Sequence, residues 1–176
     1  LDMRMDQSSE RSAADIVNEY DEKDLVHMFS YYGDIRNART LARAIIQCRQ
    51  STPIHSTRQL VEVAEKVAPK GKHAKYLAQL FQAIRIEVND EMGALKEMLI
   101  QAVEMLNPGG RLVVISYHSL EDRLVKGLMN TGSLEGKVEK DFYGNLIRPL
   151  EPTTRKPIIP DGQEIVTNPR ARSAKL

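Results

Sequence analysis

Arg111-Leu112-Val113-Val114-Ile115-Ser116-Tyr117-His118-Ser119-Leu120-Glu121-Asp122-Arg123 is the stretch on which the fold reading turns. Residues 112–115 are apolar without alternation, which suggests a strand buried on both faces, as in a parallel sheet covered by helices. The strand, residues 111–117, runs into a polar knot that is also the start of a helix. In open α/β sheets ligands gather just past the carboxyl end of a strand, where loops and helix N-termini meet. Ser119 can cap the new helix, with Asp122 three residues on as a weaker capping box. That job leaves His118 and Arg123 unexplained, and function is expected at those two.

Upstream, Leu95, Met98, Leu99, Ala102, Val103 and Leu106 mark a helix that ends at the turn Asn107-Pro108-Gly109-Gly110. Helix, tight glycine turn, buried strand, polar loop and helix follow the grammar of a doubly wound α/β sheet. Downstream lie a helix over residues 120–129, an irregular Gly-rich stretch, a Pro-bounded segment, and candidate short strands at 163–167 and 174–176. The parallel partners the buried strand needs are not in evidence, so the chain reads as the rear portion of a larger domain. An unpaired strand edge also invites strand-exchanged dimers.

Residues 12–88 read as helices. Ser12 with Asp15 and Ser56 with Gln59 are capping boxes, and residues 34–50 carry an apolar stripe of Ile35, Ala38, Leu41, Ala42, Ile45 and Ile46. Thr52-Pro53 stops that helix. Leu1 is not an initiator Met, and the opening reads as the middle of something longer.

Apolar residues make up 41 % of the 176, enough for a packed core, and the net charge of +1 neither demands nor excludes an RNA partner. The single Cys48 excludes an internal disulfide and a Cys-rich zinc site, and on the apolar side of its helix it reads as an inert thiol. His27, His55 and His73 lack ligand spacing, so no metal is expected. No apolar run approaches the roughly 20 residues that span a bilayer, and no signal peptide is visible, which points to a cytoplasmic protein without a membrane partner.

Three polar clusters could carry chemistry, each with a plain structural alternative. His118, Ser119 and Arg123 are either a capped helix start or a pocket wall where an imidazole meets a base edge or sugar and a guanidinium clamps a phosphate. Asn168, Arg170 and Arg172 are either a solvated turn or a pair of phosphate contacts flanking a base-reading amide. Asp2 and Asp6, around Arg4, belong either to a half-buried extended segment or to a structural Asp–Arg pair. Arg36, Arg39 and Arg43, spaced by three and four, share the face opposite the apolar stripe and are either solvated or an RNA-backbone footprint.

Four stretches occur in a fixed order: Leu1-Asp2-Met3-Arg4-Met5-Asp6, Phe81-Gln82-Ala83-Ile84-Arg85-Ile86-Glu87-Val88-Asn89, residues 107–123, and Asn168-Pro169-Arg170-Ala171-Arg172-Ser173. Together they resemble the ribosomal small-subunit RNA cytosine-N4 methyltransferases (the RsmH or MraW family). The resemblance implies an S-adenosylmethionine-dependent enzyme that methylates the exocyclic amine of a cytidine in small-subunit ribosomal RNA. It also implies a partial class I (Rossmann-like) methyltransferase sheet with an inserted all-helical domain, helix-rich overall. Residues 1–11 and 76–176 would belong to the methyltransferase domain and residues 12–75 to the insert. It assigns His118, Ser119 and Arg123 to the catalytic pocket, Asn168, Arg170, Arg172, Asp2 and Asp6 to substrate binding, and Arg36, Arg39 and Arg43 to the RNA backbone. The glycine-rich turn and Asp-Leu-Gly-type motif that hold the donor in the family do not occur here. The cofactor-binding residues are therefore expected upstream of residue 1, and the 176 residues alone are expected to be inactive and not to bind the donor tightly. The alternative is a non-catalytic RNA-binding or assembly module derived from the family.

Overall fold

Ser12, Asp21 and Ser56 each turn the chain into a helix by accepting the orphan backbone N–H three residues on. For α1 (Ala13–Glu19) and α4 (Thr57–Glu65) the bond is returned, by Asp15 to Ser12 and by Gln59 to Ser56, so both expected capping boxes form. α2 (Glu22–Tyr31), α3 (Ala38–Ser51) and α5 (His73–Val88) complete the set. The stripe in the third helix is real, but α3 begins at Ala38 rather than near residue 34, because Asp34 takes a left-handed φ of 51° and a turn follows in which the Ile35 carbonyl accepts the Ala38 N–H at 3.2 Å. The protein is described by a computed structural model for residues 1–154 and 156–176.

Two units separate, Leu1–Glu91 and Met92–Leu176. In the first, α1 to α5 pack around Ile16, Leu25, Phe29, Leu41, Ile45, Leu60, Leu80 and Ile84, all fully buried. Gly33 shows how tight this packing is: a Cβ there would stand 2.8 Å from the Phe29 carbonyl oxygen and 2.9 Å from that of Gln79. Backbone meets backbone at that point, and only glycine fits.

The second unit holds α6 (Glu91–Met105), which starts at the end of the first unit, then α7 (Ser119–Thr131), α8 (Gly162–Thr167) and a 3-10 turn at Pro169–Ser173. Gly132, at φ 76°, ends α7 in the left-handed conformation. Leu99 of α6 meets Val125 and Leu128 of α7 in a small apolar cluster, joined by half-buried Leu112 and Val114.

The expected partial Rossmann-like sheet is overturned. Among the described residues no β-strand forms, and the pairing consists of two isolated antiparallel bridges, Ser116 with Lys175 and Lys140 with Leu146. Residues 112–115 cover the α6–α7 cluster on one side only: Leu112 and Val114 point in, whereas Val113 is 67 % and Ile115 57 % exposed. An apolar run suggests burial on both faces, but it cannot by itself supply the neighbouring segment that a ladder requires. Residues 163–167, expected as a short strand, form α8 instead, capped by the Asp161 carboxylate. Residues 174–176 are extended. Lys175 pairs with Ser116 through two 2.9 Å bonds, and Leu176 exchanges bonds with Ile158 at 2.9 and 3.0 Å.

Candidate functional site

The cap of α7 sits one residue earlier than the sequence suggested. His118, not Ser119, is the N-cap: its Nδ1 accepts the Glu121 N–H at 3.4 Å. Glu121, not Asp122, closes the box, with Oε2 accepting from the Tyr117 N–H (2.8 Å) and the His118 N–H (3.2 Å). Since Nδ1 is the acceptor, the ring proton of the neutral imidazole belongs on Nε2. That atom is shut off from solvent and lies 3.2 Å from Glu121 Oε1, but out of line for a hydrogen bond, so it is a buried donor without a bonded partner.

With the cap moved to His118, Ser119 is released from structural duty. Ser119 and Arg123 are exposed and one helical turn apart, and Arg123 has no acidic partner among the described residues. Asp122 looks the other way. Its Oδ2 accepts from Lys126 Nζ and Lys175 Nζ, both at 2.9 Å. Burial pushes its carboxyl pKa up, but the hydrogen bonds and charges of the two lysines outweigh burial and leave it below the ordinary value. Asp122, Lys126 and Lys175 edge a groove of about 770 Å³ floored by Leu112, Val114 and Val125, and the groove does not include His118, Ser119 or Arg123.

The C-terminal motif comes to this same end of the unit. The 3-10 turn of residues 169–173 leads directly into Lys175, which bridges Ser116 by its backbone and Asp122 by its side chain. Asn168 uses its backbone within the turn, where its carbonyl accepts from the Ala171 N–H at 2.9 Å. Arg170 and Arg172 are exposed, with no acidic partner among the described residues.

The first unit answers the other candidates. Asp2 and Arg4 form a two-pronged ion pair, Nε to Oδ1 at 2.7 Å and Nη2 to Oδ2 at 2.9 Å. Hydrogen bonding by Arg4 holds the Asp2 carboxyl down at about 2. Arg4 also donates to the Ser9 carbonyl at 2.7 Å, and Asp6 accepts from Ser8 Oγ (2.7 Å) and the Ser8 N–H (2.9 Å), which lowers its pKa. Asn89, the last residue of the second motif stretch, locks this loop: its Nδ2 donates to the Met3 carbonyl (3.0 Å) and its Oδ1 accepts from the Met5 N–H (2.7 Å). Two of the four motif stretches, residues 1–6 and 81–89, are thus one structural piece. Met3, at a left-handed φ of 67°, is held there by that clamp.

The arginines divide. Arg36 lies in the turn before α3, exposed; Arg39 and Arg43 are one turn apart on α3. Arg43 is engaged by Glu22 at 2.9 Å. Arg49 serves α1, donating to the carbonyls of Val17 (2.8 Å) and Tyr20 (2.6 Å) near its C-terminal end.

The model of the MraW methylase family matches residues 1–176, from one end of this chain to the other. The chain belongs to that family. It is 54 % identical over 176 residues to the ribosomal RNA small subunit methyltransferase H of Amoebophilus asiaticus, covering 100 % of this chain and 57 % of that protein. It is 52 % identical to the protein of the same name from Bacteroides thetaiotaomicron and 53 % identical to that from Flavobacterium johnsoniae, covering 58 % of each. The chain therefore spans somewhat more than half the length of these relatives. Among the described residues no helix is long and apolar enough to cross a membrane.

Proposed function

We propose that the protein is an S-adenosylmethionine-dependent methyltransferase acting on N4 of a cytidine in small-subunit ribosomal RNA, in the cytoplasm, and that this chain supplies its RNA-facing part. The reading is carried by identity above 50 % along the whole chain to relatives named for ribosomal RNA small subunit methylation. The exposed pair Ser119 and Arg123 at the start of α7 and the exposed Arg170 and Arg172, in a tail tied to Ser116 through Lys175, support it.

The donor, whose holding residues are expected outside this chain, would supply a methyl group on a sulfonium; the cytosine amine would take that methyl, the thioether would leave, and the N4 proton would pass to water. The lone pair of that amine is delocalised into the ring, so the protein must align the base and polarise the N–H. Arg123 clamps a phosphate of the target nucleotide or its neighbour. Ser119 accepts from or donates to the sugar or base edge. His118 fixes the turn that presents both, through the cap it shares with Glu121. Asn168, Arg170 and Arg172 hold the flanking nucleotides, and the base is splayed out of its stack to reach them. Asp2 and Asp6 act by fixing the residue 1–9 loop, through Arg4 and Ser8. Residues 12–75 are the RNA-gripping module, with Arg36 and Arg39 on phosphates and Arg43 shared with Glu22.

The test is methyl transfer from labelled donor to small ribosomal subunits by the whole protein, with Arg123→Ala beside it. Label in N4-methylcytidine, lost on substitution while donor affinity holds, is the expected result. Unimpaired turnover by Arg123→Ala removes Arg123 from the site. Absence of any cytidine methylation by the intact protein leaves the non-catalytic RNA module as the function.

A further inference from the structure

α2 buries Leu25, Met28 and Phe29 in the helical core. Its opposite side is not the plain polar face that amphipathicity alone would leave. Lys23, His27 and Tyr31 recur every four residues and line one exposed strip. The His27 and Tyr31 rings stack, with centroids 5.5 Å apart and planes 15° apart. Tyr32 braces them from below: its ring meets Tyr31 edge-on at 5.2 Å, and its carbonyl is held by Gln82 Nε2 at 3.1 Å. Tyr31 is nevertheless 51 % exposed. An aromatic face fixed in orientation and left open to water is a stacking surface for a flat ligand.

The charge beside this surface narrows the ligand. Lys23 and Arg39, with Glu22 and Val26, line a shallow hollow of about 260 Å³. Glu22 is occupied by Arg43 at 2.9 Å, so Lys23 and Arg39 remain cations without an acidic partner among the described residues. Asp21 and Asp24 stand at the start of the helix, where its N–H groups and dipole offset their charge, and Asp21 is bonded to the Asp24 N–H at 2.8 Å. An anionic backbone therefore fits the Arg39 side of the strip, with its flat groups over Tyr31.

We infer that this face of α2 binds single-stranded RNA, one base stacked on Tyr31 and adjoining phosphates on Lys23 and Arg39. Duplex RNA hides its base faces and cannot use the platform. The inference rests on the RNA reading above and gives the Arg39 footprint a base-stacking partner.

The chain contains no Trp, so Tyr31→Trp places a single fluorescent reporter on the strip. Titration of the whole chain carrying it with a single-stranded RNA of about a dozen nucleotides should quench the emission. A duplex of the same sequence should not. Tyr31→Ala should weaken single-strand binding about tenfold with the salt slope unchanged, whereas Arg39→Ala should weaken binding and reduce that slope by about 1. Full affinity in Tyr31→Ala, with Arg39→Ala still impaired, overturns the stacking strip and leaves the RNA reading standing. Emission that changes with protein concentration and not with RNA overturns the inference in favour of self-association. No RNA binding by the unaltered chain overturns both readings.

Discussion

The helical unit and the second unit handle apolar surface in opposite ways. In Leu1–Glu91 most large apolar side chains turn inward, Met5 and Tyr31 apart, and polar side chains tie off helix ends: Ser12, Asp21 and Ser56 at N-termini, Arg49 near the end of α1. In Met92–Leu176 much of the apolar surface faces water, from Val113, Ile115 and Tyr117 to Phe142, Tyr143 and Ile159. A few specific polar ties hold it, among them the Ser116–Lys175 bridge and the Lys126–Asp122–Lys175 cluster. The first unit is stabilised by burial, which many residues share. The second depends on contacts that single substitutions remove, and it carries the candidate catalytic residues.

The largest effect should come from taking a side chain out of the better-packed unit. Phe29→Ala deletes a ring with no exposed area and should cost about 3–5 kcal/mol, read from urea denaturation followed by helical circular dichroism. Ile115→Ala, 57 % exposed, should change stability by no more than about 0.5 kcal/mol in the same assay. Equal losses would erase the distinction between the units.

The same contrast explains what was legible in the sequence. Capping boxes join residues three apart and apolar stripes repeat within one helix, so α1, α3 and α4 could be read locally. The lack of a sheet could not, because pairing depends on a distant segment, and four apolar residues at 112–115 look alike whether one face is covered or two. The His118 cap was missed by one register, since Ser is the commoner cap and Ser119 stood next to it. The engagement of Arg43 by Glu22, of Arg49 by α1 carbonyls, and of Met3 and Met5 by Asn89 all span long separations that spacing cannot show. His118, Ser119 and Arg123 lie together at the start of α7, as a cap and two exposed side chains. The sequence pointed to the start of this helix and misplaced which residue caps it.

A smaller effect tests whether the helical unit has a single-contact weakness of its own. Asn89→Ala strips the Met3 carbonyl and the Met5 N–H of their bonds and releases a left-handed Met3. A loss of about 1–2 kcal/mol is expected, with faster protease cleavage within residues 1–9 while α2 to α4 stay protected. Unchanged cleavage would mean that the Arg4 bonds alone hold the loop.

The smallest effect lies at Asp122, where the sign of the pH dependence is fixed by the structure. Its carboxyl is depressed in the folded protein, since the two lysine hydrogen bonds outweigh burial. A depressed acid stabilises the fold above its unfolded pKa, near 3.8, and that contribution is lost as pH falls through the lower folded value. Both lysines are more than a third exposed, so the tie contributes about 1 kcal/mol or less. Protection of the Lys175 amide, bonded to the Ser116 carbonyl, should therefore hold at pH 6 and fall by pH 3 relative to amides in α3. Asp122→Asn should show the lower protection at both pH values, because the carboxylate that anchors Lys175 is gone at either. If protection in Asp122→Asn still falls between pH 6 and pH 3 as it does in the unaltered chain, the pH-sensitive tie lies at another group, and the C-terminal extension is held by its backbone bridge without Asp122.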